Sequence, residues 1–417
     1  MRRMDVSEVW ACRPIGYRAT GMPELPSATP FALLHGDRRW IVLAEDPLAR
    51  LEEADLSCFR FHRSGSIPPL RPDLVGFVGY GHPGGLRDPL KPSREPLALP
   101  GLRLVLYARV RIWDRDRGLL YEGRREAPRE IEARPSLLRP GPFRARRIWD
   151  SDSPETYRRK VERIRSEIAR GNVYQVDLTR QEAWAYEGSL LELAGRLAAA
   201  DPAPCSALIV EPDFALCGAS PESFLRLRSG RLTTRPIKGT AARGECPAAD
   251  RVAAAWLRAS PKNRSELAMI VDLMRNDLTR VCEIPSVRVT TFPRLDRHAH
   301  VMHLSAVVAG RLRRPIGLPD LLKGVFPGGS VTGCPKLAAV DLIAELEEAA
   351  RGPYTGAVGW LSHDLSQLDL GMVIRTAWAD AHELRFGVGG GVVWDSNPAE
   401  EYLETQHKAA SLVRCLG

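Results

Sequence analysis

The sequence predicts an α+β fold, and three observations lead there. Helical and strand-like segments are mixed along the 417 residues without the regular βα alternation of a doubly wound sheet. Apolar residues make up 44% of the chain and charged residues 26%, the mix of a chain that buries a core. No run approaches ~20 uninterrupted apolar residues, so no helical membrane span is expected. The basic opening, residues 1–10, is followed by no apolar stretch, which argues against a secretory signal. Length leaves room for two or three domains of ~150 residues, but the texture shifts only once, near residue 147.

Ahead of that point, Pro-rich stretches at 83–100 and 128–142 read as loops or connectors. Between them residues 102–113 partly alternate, with Arg109 and Arg111 on one face; Asp114–Gly118 turn and Leu119–Tyr121 complete a hairpin. A helix opens at Ser153-Pro154-Glu155, where Ser153 can accept from free N–H groups and Pro154 suits the first turn. Tyr157, Val161, Ile164 and Ile168 give it an apolar stripe, and Gly171 closes it. Residues 173–179 alternate as a strand. Residues 264–280 form another helix, with Ala268, Ile270, Val271 and Met274 in its apolar pattern. The last helix starts after Asp395-Ser396-Asn397-Pro398 and runs nearly to Gly417. No repeat of 20–50 residues is visible.

The net charge is +8, from 59 basic and 51 acidic residues scattered and mixed in sign. A basic surface attracts polyanions, but no Lys/Arg run marks a nucleic-acid tail, so no nucleic-acid partner is expected. The cysteines (Cys12, Cys58, Cys205, Cys217, Cys246, Cys282, Cys334 and Cys415) include no CxxC pair. That excludes the common zinc spacings and fits free thiols in a reducing, cytoplasmic setting.

Two glycine clusters resemble nucleotide motifs and fail as such. In Gly328–Lys336, Cys334-Pro335 stands where a phosphate loop needs Lys-Ser/Thr. In Gly387–Val392, Val392 stands where a dinucleotide fingerprint needs a third Gly or Ala. Both read as loops whose backbone N–H groups can approach an anion, or as plain tight turns. His298, His300 and His303 do not make a metal trio, because on a strand 298 and 300 face away from 303; one of them acting singly in a pocket fits better. Glu401, Glu404 and Lys408 fall along one helix face at i, i+3 and i+7. They form either a solvated face with a Glu404–Lys408 pair or half of a hard-cation site, with Glu266 on another helix as the second contributor. Lys238, bracketed by Pro236 and Gly239, is either a solvated loop lysine or, if desolvated, a nucleophile.

Taken together, nine ordered segments over about 260 residues resemble the chorismate-utilising enzymes, the anthranilate, aminodeoxychorismate, isochorismate and salicylate synthases. They are residues 171–180 (GNVYQVDLTR), 220–224 (SPESF), 235–240 (RPIKGT), 265–278 (SELAMIVDLMRNDL), 300–304 (HVMHL), 326–336 (FPGGSVTGCPK), 354–360 (YTGAVGW), 373–376 (VIRT) and 387–409. Residues 1–147 match only loosely, chiefly at 76–81 (GFVGYG) and the hairpin. The resemblance implies a two-sheet β-sandwich wrapped by helices, with residues 1–147 and a chorismate-binding region at 148–417 interwoven as one unit.

Roles follow from the same resemblance. Lysine in the Pro-Ile-x-Gly-Thr motif marks aminodeoxychorismate synthases, where anthranilate synthases usually have alanine; Lys238 would attack C2 of chorismate and expel the 4-hydroxyl, after which ammonia adds at C4. Glu222 matches the general acid for that hydroxyl. Gln175 stands where water-using members carry a lysine base, so it points to an aminating enzyme. Glu266 and Glu404 match Mg²⁺ ligands, with Glu401 acting through a water. Gly239, Thr240, Gly389, Gly390 and Gly391 resemble the substrate cradle. Arg375 matches the partner of the enolpyruvyl carboxylate. Tyr354 and Lys408 line the pocket, and His303 lies near the ring. Ala241-Ala242 replaces the usual Arg-Pro after the lysine motif, and Cys334 replaces the usual alanine.

The expected activity is therefore amination of chorismate to 4-amino-4-deoxychorismate, toward 4-aminobenzoate and folate. Anthranilate synthase is the runner-up, and a non-catalytic binding homologue conflicts with the retained Glu222, Lys238, Glu266 and Glu404. No glutaminase elbow is recognisable in the chain, so ammonia is expected from a separate glutamine amidotransferase subunit or from solution.

Overall fold

The computed structural model describes residues 4–14, 25–26, 30–36, 39–51, 55–81, 99, 101–129, 137, 139–298 and 301–417. The stretch 83–100, read as a connector, and His300 lie outside these residues, Leu99 excepted. Among the described residues up to 150 the regular elements are strands: β1 (Met4–Pro14), β2 (Phe31–Gly36), β3 (Trp40–Leu51), β4 (Phe59–Gly65), β5 (Leu74–Val78), β6 (Leu102–Asp114), β7 (Leu119–Glu126) and β8 (Arg144–Asp150), with one 3-10 turn. Then follow α1 (Pro154–Ala169), β9 (Gln175–Glu187), α2 (Leu190–Ala200), β10 (Cys205–Val210), β11 (Ala215–Ser220), β12 (Ser223–Arg228), β13 (Arg231–Arg235), β14 (Ile237–Ala242), α3 (Pro247–Ala259) and α4 (Pro261–Val281). The chain closes with β15 (Arg288–Arg297), β16 (Val301–Arg311), α5 (Leu318–Val325), β17 (Gly333–Cys334), α6 (Lys336–Leu346), β18 (Ala357–Leu361), β19 (Leu368–Met372), β20 (Thr376–Ala379), β21 (Glu383–Val392) and α7 (Pro398–Leu416).

Hydrogen bonding runs continuously through the strands, yet it divides into two arms at β6. One edge of β6 pairs with β3, which continues through β2, β10, β11, β20, β21, β9 and β8. The other edge is shared by β7 and β5, and β5 continues through β18, β19, β12, β13, β16 and β15. The arms face each other across an apolar layer in which Ala32, Leu34, Ala207 and Ile209 of one meet Phe77, Val358 and Trp360 of the other. Helices cover the outer faces: α2 and α7 on the first arm, α4 and α5 on the second. This is the α+β sandwich wrapped by helices. Pairing of β2 with β10 and of β5 with β18 ties residues before 147 to those after it.

The helix signals hold in detail. Ser153 accepts from the Thr156 amide at 3.1 Å, Pro154 opens α1, and Gly171 follows its end with a φ of +79°. Tyr157, Val161 and Ile164 are fully buried against β9 and α6. In α4, Leu267, Ile270, Met274 and Leu278 pack on Met302, Leu304 and Val308 of β16. The strand at 173–179 differs from expectation. It begins at Gln175, extends to Glu187, and is buried on both faces up to Ala183. Alternation is lost because one face carries α1 and α6 while the other face carries polar residues of a buried site.

Candidate active site

The glycine run at 387–391, expected as a loop, lies inside β21 and pairs residue for residue with β9. Its bare backbone creates the site. A Cβ on Gly391 would lie 2.6 Å from Gln175 Nε2 and 3.0 Å from Lys238 Nζ. A Cβ on the next residue back, Gly390, would point at Glu401 Oε2, Glu404 Oε1 and Lys408 Nζ, at 3.3, 3.4 and 3.5 Å. Gly387 likewise gives up its side-chain space to the ring of the buried Tyr354. Three side-chain groups from distant segments thus gather along one strand because its glycine positions carry no side chains.

Lys238 sits on β14, not in a loop, and is half-buried. The register with β16 shifts between Lys238 and Thr240, a bulge centred on Gly239, whose φ of +78° suits glycine. Arg243 then anchors the following turn by an ion pair to Asp250 at 2.6 Å, so the Ala241-Ala242 departure leaves this segment pinned. Gln175 is 1% exposed, and both its amide nitrogen and its oxygen lack a hydrogen-bond partner. An amide kept dry and unpaired costs free energy that a ligand would recover.

Glu222 lies between β11 and β12 and is buried. Burial pushes its carboxyl up to about 7, against the Ser330 hydroxyl, which donates to Oε1 at 2.7 Å, and against the charge of Lys238. It is therefore protonated in a substantial fraction at neutral pH, as a general acid must be. Ser330 comes from the first glycine cluster, which forms a buried 3-10 turn, Gly329–Val331, held by Arg351 Nη1 on the Val331 carbonyl at 2.7 Å. That cluster thus supplies a side-chain hydroxyl, where the sequence suggested only backbone groups.

His303 on β16 shares Nδ1 with Thr240 Oγ1 at 2.9 Å, while its buried Nε2 has no partner. Burial, helped by Arg375 and His298, lowers it to about 4, so the ring is neutral near pH 7. The strand-face reading of the histidines needs correction: His298 follows β15 and His303 lies on β16, antiparallel strands in which Arg297 faces Met302, and the two rings meet edge-on at 5.3 Å. Arg375 has a left-handed backbone (φ +50°), and its Nη1 already donates to Asp201 Oδ2 at 2.7 Å.

The acidic group on α7 is partly compensated. Lys408 Nζ reaches Glu404 Oε1 at 2.7 Å and the Gly389 carbonyl at 2.9 Å. Burial works against the Glu404 carboxylate, yet Lys408, Lys238 and Lys262 hold its pKa down. Glu401 is raised by burial and by Glu404, although Ser396 donates to it at 2.6 Å. Glu266 has no described contact with either acid, and no cluster of three or more His, Cys, Asp or Glu side chains is assembled for a metal among the described residues. Lys262, one turn before Glu266 on α4, does act on both Glu401 and Glu404, so the start of α4 faces them. A buried Glu401 repelled by the more exposed Glu404 offers one or two carboxylates, the number Mg²⁺ takes along with waters and substrate oxygens.

Two residues escaped the sequence reading. Ser330 carried no signal beyond its glycines. Asp177 lies two residues past Gln175 on the same strand face, and that spacing was the available signal. A separate cavity of about 630 Å³, lined by Arg231, Arg288, Arg311 and Arg314, contains none of these residues.

Comparison with known proteins places the chain among relatives of known family and fold. Residues 31–414 match the model of the family described as chorismate binding enzyme, a match that runs across the boundary at 147. The chain is 35% identical over 390 residues to aminodeoxychorismate synthase component 1 of Salmonella typhimurium, covering 91% of this chain and 84% of that protein. It is 34% identical over 368 residues to an anthranilate synthase component 1 of Haloarcula marismortui, covering 82% and 75%. The structure of anthranilate synthase component I from Streptococcus pneumoniae superposes with a TM-score of 0.72 at 26% identity, covering 96% of each chain. The menaquinone-specific isochorismate synthase of Escherichia coli shares the fold, with a TM-score of 0.76 at 18% identity over 98% of this chain and 95% of that one. Among the described residues no helix is long and apolar enough to cross a membrane.

Proposed function

Because this chain belongs to the chorismate binding enzyme family, we propose that it aminates chorismate to 4-amino-4-deoxychorismate through a covalent bond to Lys238. The observation that carries this reading is the amine of Lys238 beside the unpartnered Gln175 amide over Gly391, with Glu222 poised near neutrality in the same site. Nζ adds at C2 while Glu222 gives its proton to the departing 4-hydroxyl; ammonia then adds at C4 and releases the lysine. Splitting the displacement in two suits a poor leaving group. Gln175 offers no base, which suits ammonia and disfavours water as the nucleophile.

Glu404 and Glu266, with Glu401 through a water, would hold Mg²⁺, which neutralises charge on the ring carboxylate when bound. Thr240 and the Gly389–Gly391 backbone cradle the substrate, and the neutral His303 faces its ring. Arg375 keeps Nη2 and Nε for the enolpyruvyl carboxylate while Asp201 holds Nη1. Tyr354 lies behind Gly387 and shapes the wall. Ammonia comes from a glutaminase subunit; a pulldown that recovers no glutaminase at any salt counts against that partner. The product serves 4-aminobenzoate and folate formation.

Anthranilate formation is the second reading, favoured by the anthranilate synthase name of one of the two relatives above. Mass-resolved product analysis with chorismate, Mg²⁺ and ammonium separates the two, beside a Lys238→Ala sample. Aminodeoxychorismate lost in the variant supports the lysine route. Anthranilate with pyruvate selects the alternative, and unchanged chorismate even with a glutaminase and glutamine points to a binding protein.

A further inference from the structure

A lysine in the ammonium form has no lone pair, so Lys238 must surrender a proton before it can attack. Gln175 cannot accept it, and Glu222 is committed to the leaving hydroxyl. One carboxylate in the site has no assigned task. Asp177 is the direct cross-strand partner of Gly391, and such partners project from the same face of the sheet with Cβ positions about 5 Å apart. The space over Gly391 is the space that Lys238 Nζ and the Gln175 amide enter. Asp177 therefore opens into the pocket that holds the nucleophile. Its side chain is 8% exposed and receives no hydrogen bond from the described residues; its backbone groups alone are bonded, to Thr332 and Arg351.

We infer that Asp177 is the proton acceptor for Lys238, a role that rests on the reading of Lys238 as the nucleophile. The proton balance closes. Asp177 takes one proton from Nζ, Nζ bonds to C2, the C4–O bond breaks, and Glu222 protonates the hydroxyl, which leaves as water. When ammonia bonds at C4, the C2–N bond breaks. The freed amine recovers its proton from Asp177, and the new ammonium substituent returns one to Glu222.

The surroundings suit a group that must hold and return a proton. Burial pushes the Asp177 carboxyl up, while Arg351, Lys238 and Lys408 pull it down and Glu404 opposes them. Glu222, Tyr80, Tyr157 and Tyr354 also feel its charge. Two buried carboxyls flank one lysine in different environments, and the division of labour between acid and base follows.

The test is Asp177→Asn in the full chain, with Asp177→Glu beside it. Steady-state rates are measured with chorismate, Mg²⁺ and ammonium. Labelling of the Lys238 amine by acetic anhydride, read by peptide mass spectrometry, is measured without substrate. The Asn variant should lose about 10²- to 10⁴-fold in kcat, with KM for chorismate within about threefold, and Glu should recover part of the rate. Labelling of Lys238 should be undiminished in Asn, because removing a neighbouring anion favours the neutral amine; a near-UV circular dichroism spectrum matching wild type shows separately that the variant is folded. A kcat within threefold of wild type overturns the inference, as does a loss carried by KM. If kcat and labelling both rise, Asp177 acts only as a charge and the inference falls. Wild type making anthranilate, with Lys238→Ala still active, removes the lysine route and this inference with it. Aminodeoxychorismate from wild type with a fully active Asn variant removes this inference alone.

Discussion

The two sides of strand β21 follow opposite electrostatic plans. Around Gly390, charges answer one another: Lys408 lies between Glu404 and a backbone carbonyl, and Ser396 donates to Glu401. Around Gly391 and at the neighbouring ring of His303, polar atoms stand without partners: both amide atoms of Gln175 and Nε2 of His303. The first arrangement is stable by itself and tuned by what binds. The second is kept dry by the surrounding fold, and its unmet hydrogen-bonding capacity is what a polar substrate would fill. A site can thus hold its charged anchor and its reacting groups a single residue apart, provided the strand between them is glycine.

Substitutions can test that contrast, beginning with the largest effect. Glu222→Gln should lower kcat by about 10²- to 10⁴-fold, since no proton is then available for the hydroxyl. In wild type the alkaline limb of kcat should fall as pH rises through about 7, where Glu222 ionises. The same variant should gain stability. The folded pKa of Glu222 lies above its ordinary value of 4.5, so the unfolded chain ionises first and wild type loses stability as pH rises from 4.5 to about 7. That loss is about 3 kcal/mol, and Gln escapes it. Thermal melts at pH 8 should favour the variant, with the gap closing at pH 4; equal melts at both pH values would contradict the buried-acid account.

On the other side of the strand, Glu404→Gln should weaken Mg²⁺ binding about 10- to 100-fold, read as the Mg²⁺ dependence of chorismate binding. An unchanged dependence would remove the acidic side from the cation reading. Ser330→Ala should have the smallest effect on rate. Its hydroxyl holds the Glu222 pKa down, so its loss should carry the alkaline limb upward, and a limb that moves downward would break this account. As a control far from the contrast, Ile270→Ala should cost about 2–5 kcal/mol in urea unfolding and leave the pH profile in place.

The helices were legible because their signals are local. Ser153-Pro154 and Asn397-Pro398 each combine a capping side chain with a proline that has no N–H to lose, and both structures match. Lys238 and Glu222 stood out through motif resemblance alone; nothing in their immediate neighbours shows that Gly391 would leave room for one or that Ser330 would hold the other. The glycine run was misread as a loop because glycine lacks strand propensity; in this fold it is a strand whose missing side chains make space. Asp177 was hidden by the opposite problem: in the strand pattern it looked like any polar alternate, and the groups that surround it, Arg351, Lys238 on β14 and Glu404 and Lys408 on α7, arrive from far along the chain.

The division of the sheet at β6 bears on how the molecule is made. β5 hydrogen-bonds to β18, with Phe77 opposite Val358, and β2 pairs with β10. A ribosome releases the early strands long before their neighbours exist, so the leading third of a nascent chain has sheet edges and apolar faces with nothing to cover them. Folding must wait for most of the polypeptide and then close loops of high contact order, which is slow and leaves edges open to aggregation. Arrest of synthesis just before residue 357 should leave a chain dependent on chaperones, whereas synthesis past Val392 supplies the last strand of both arms and lets them close together.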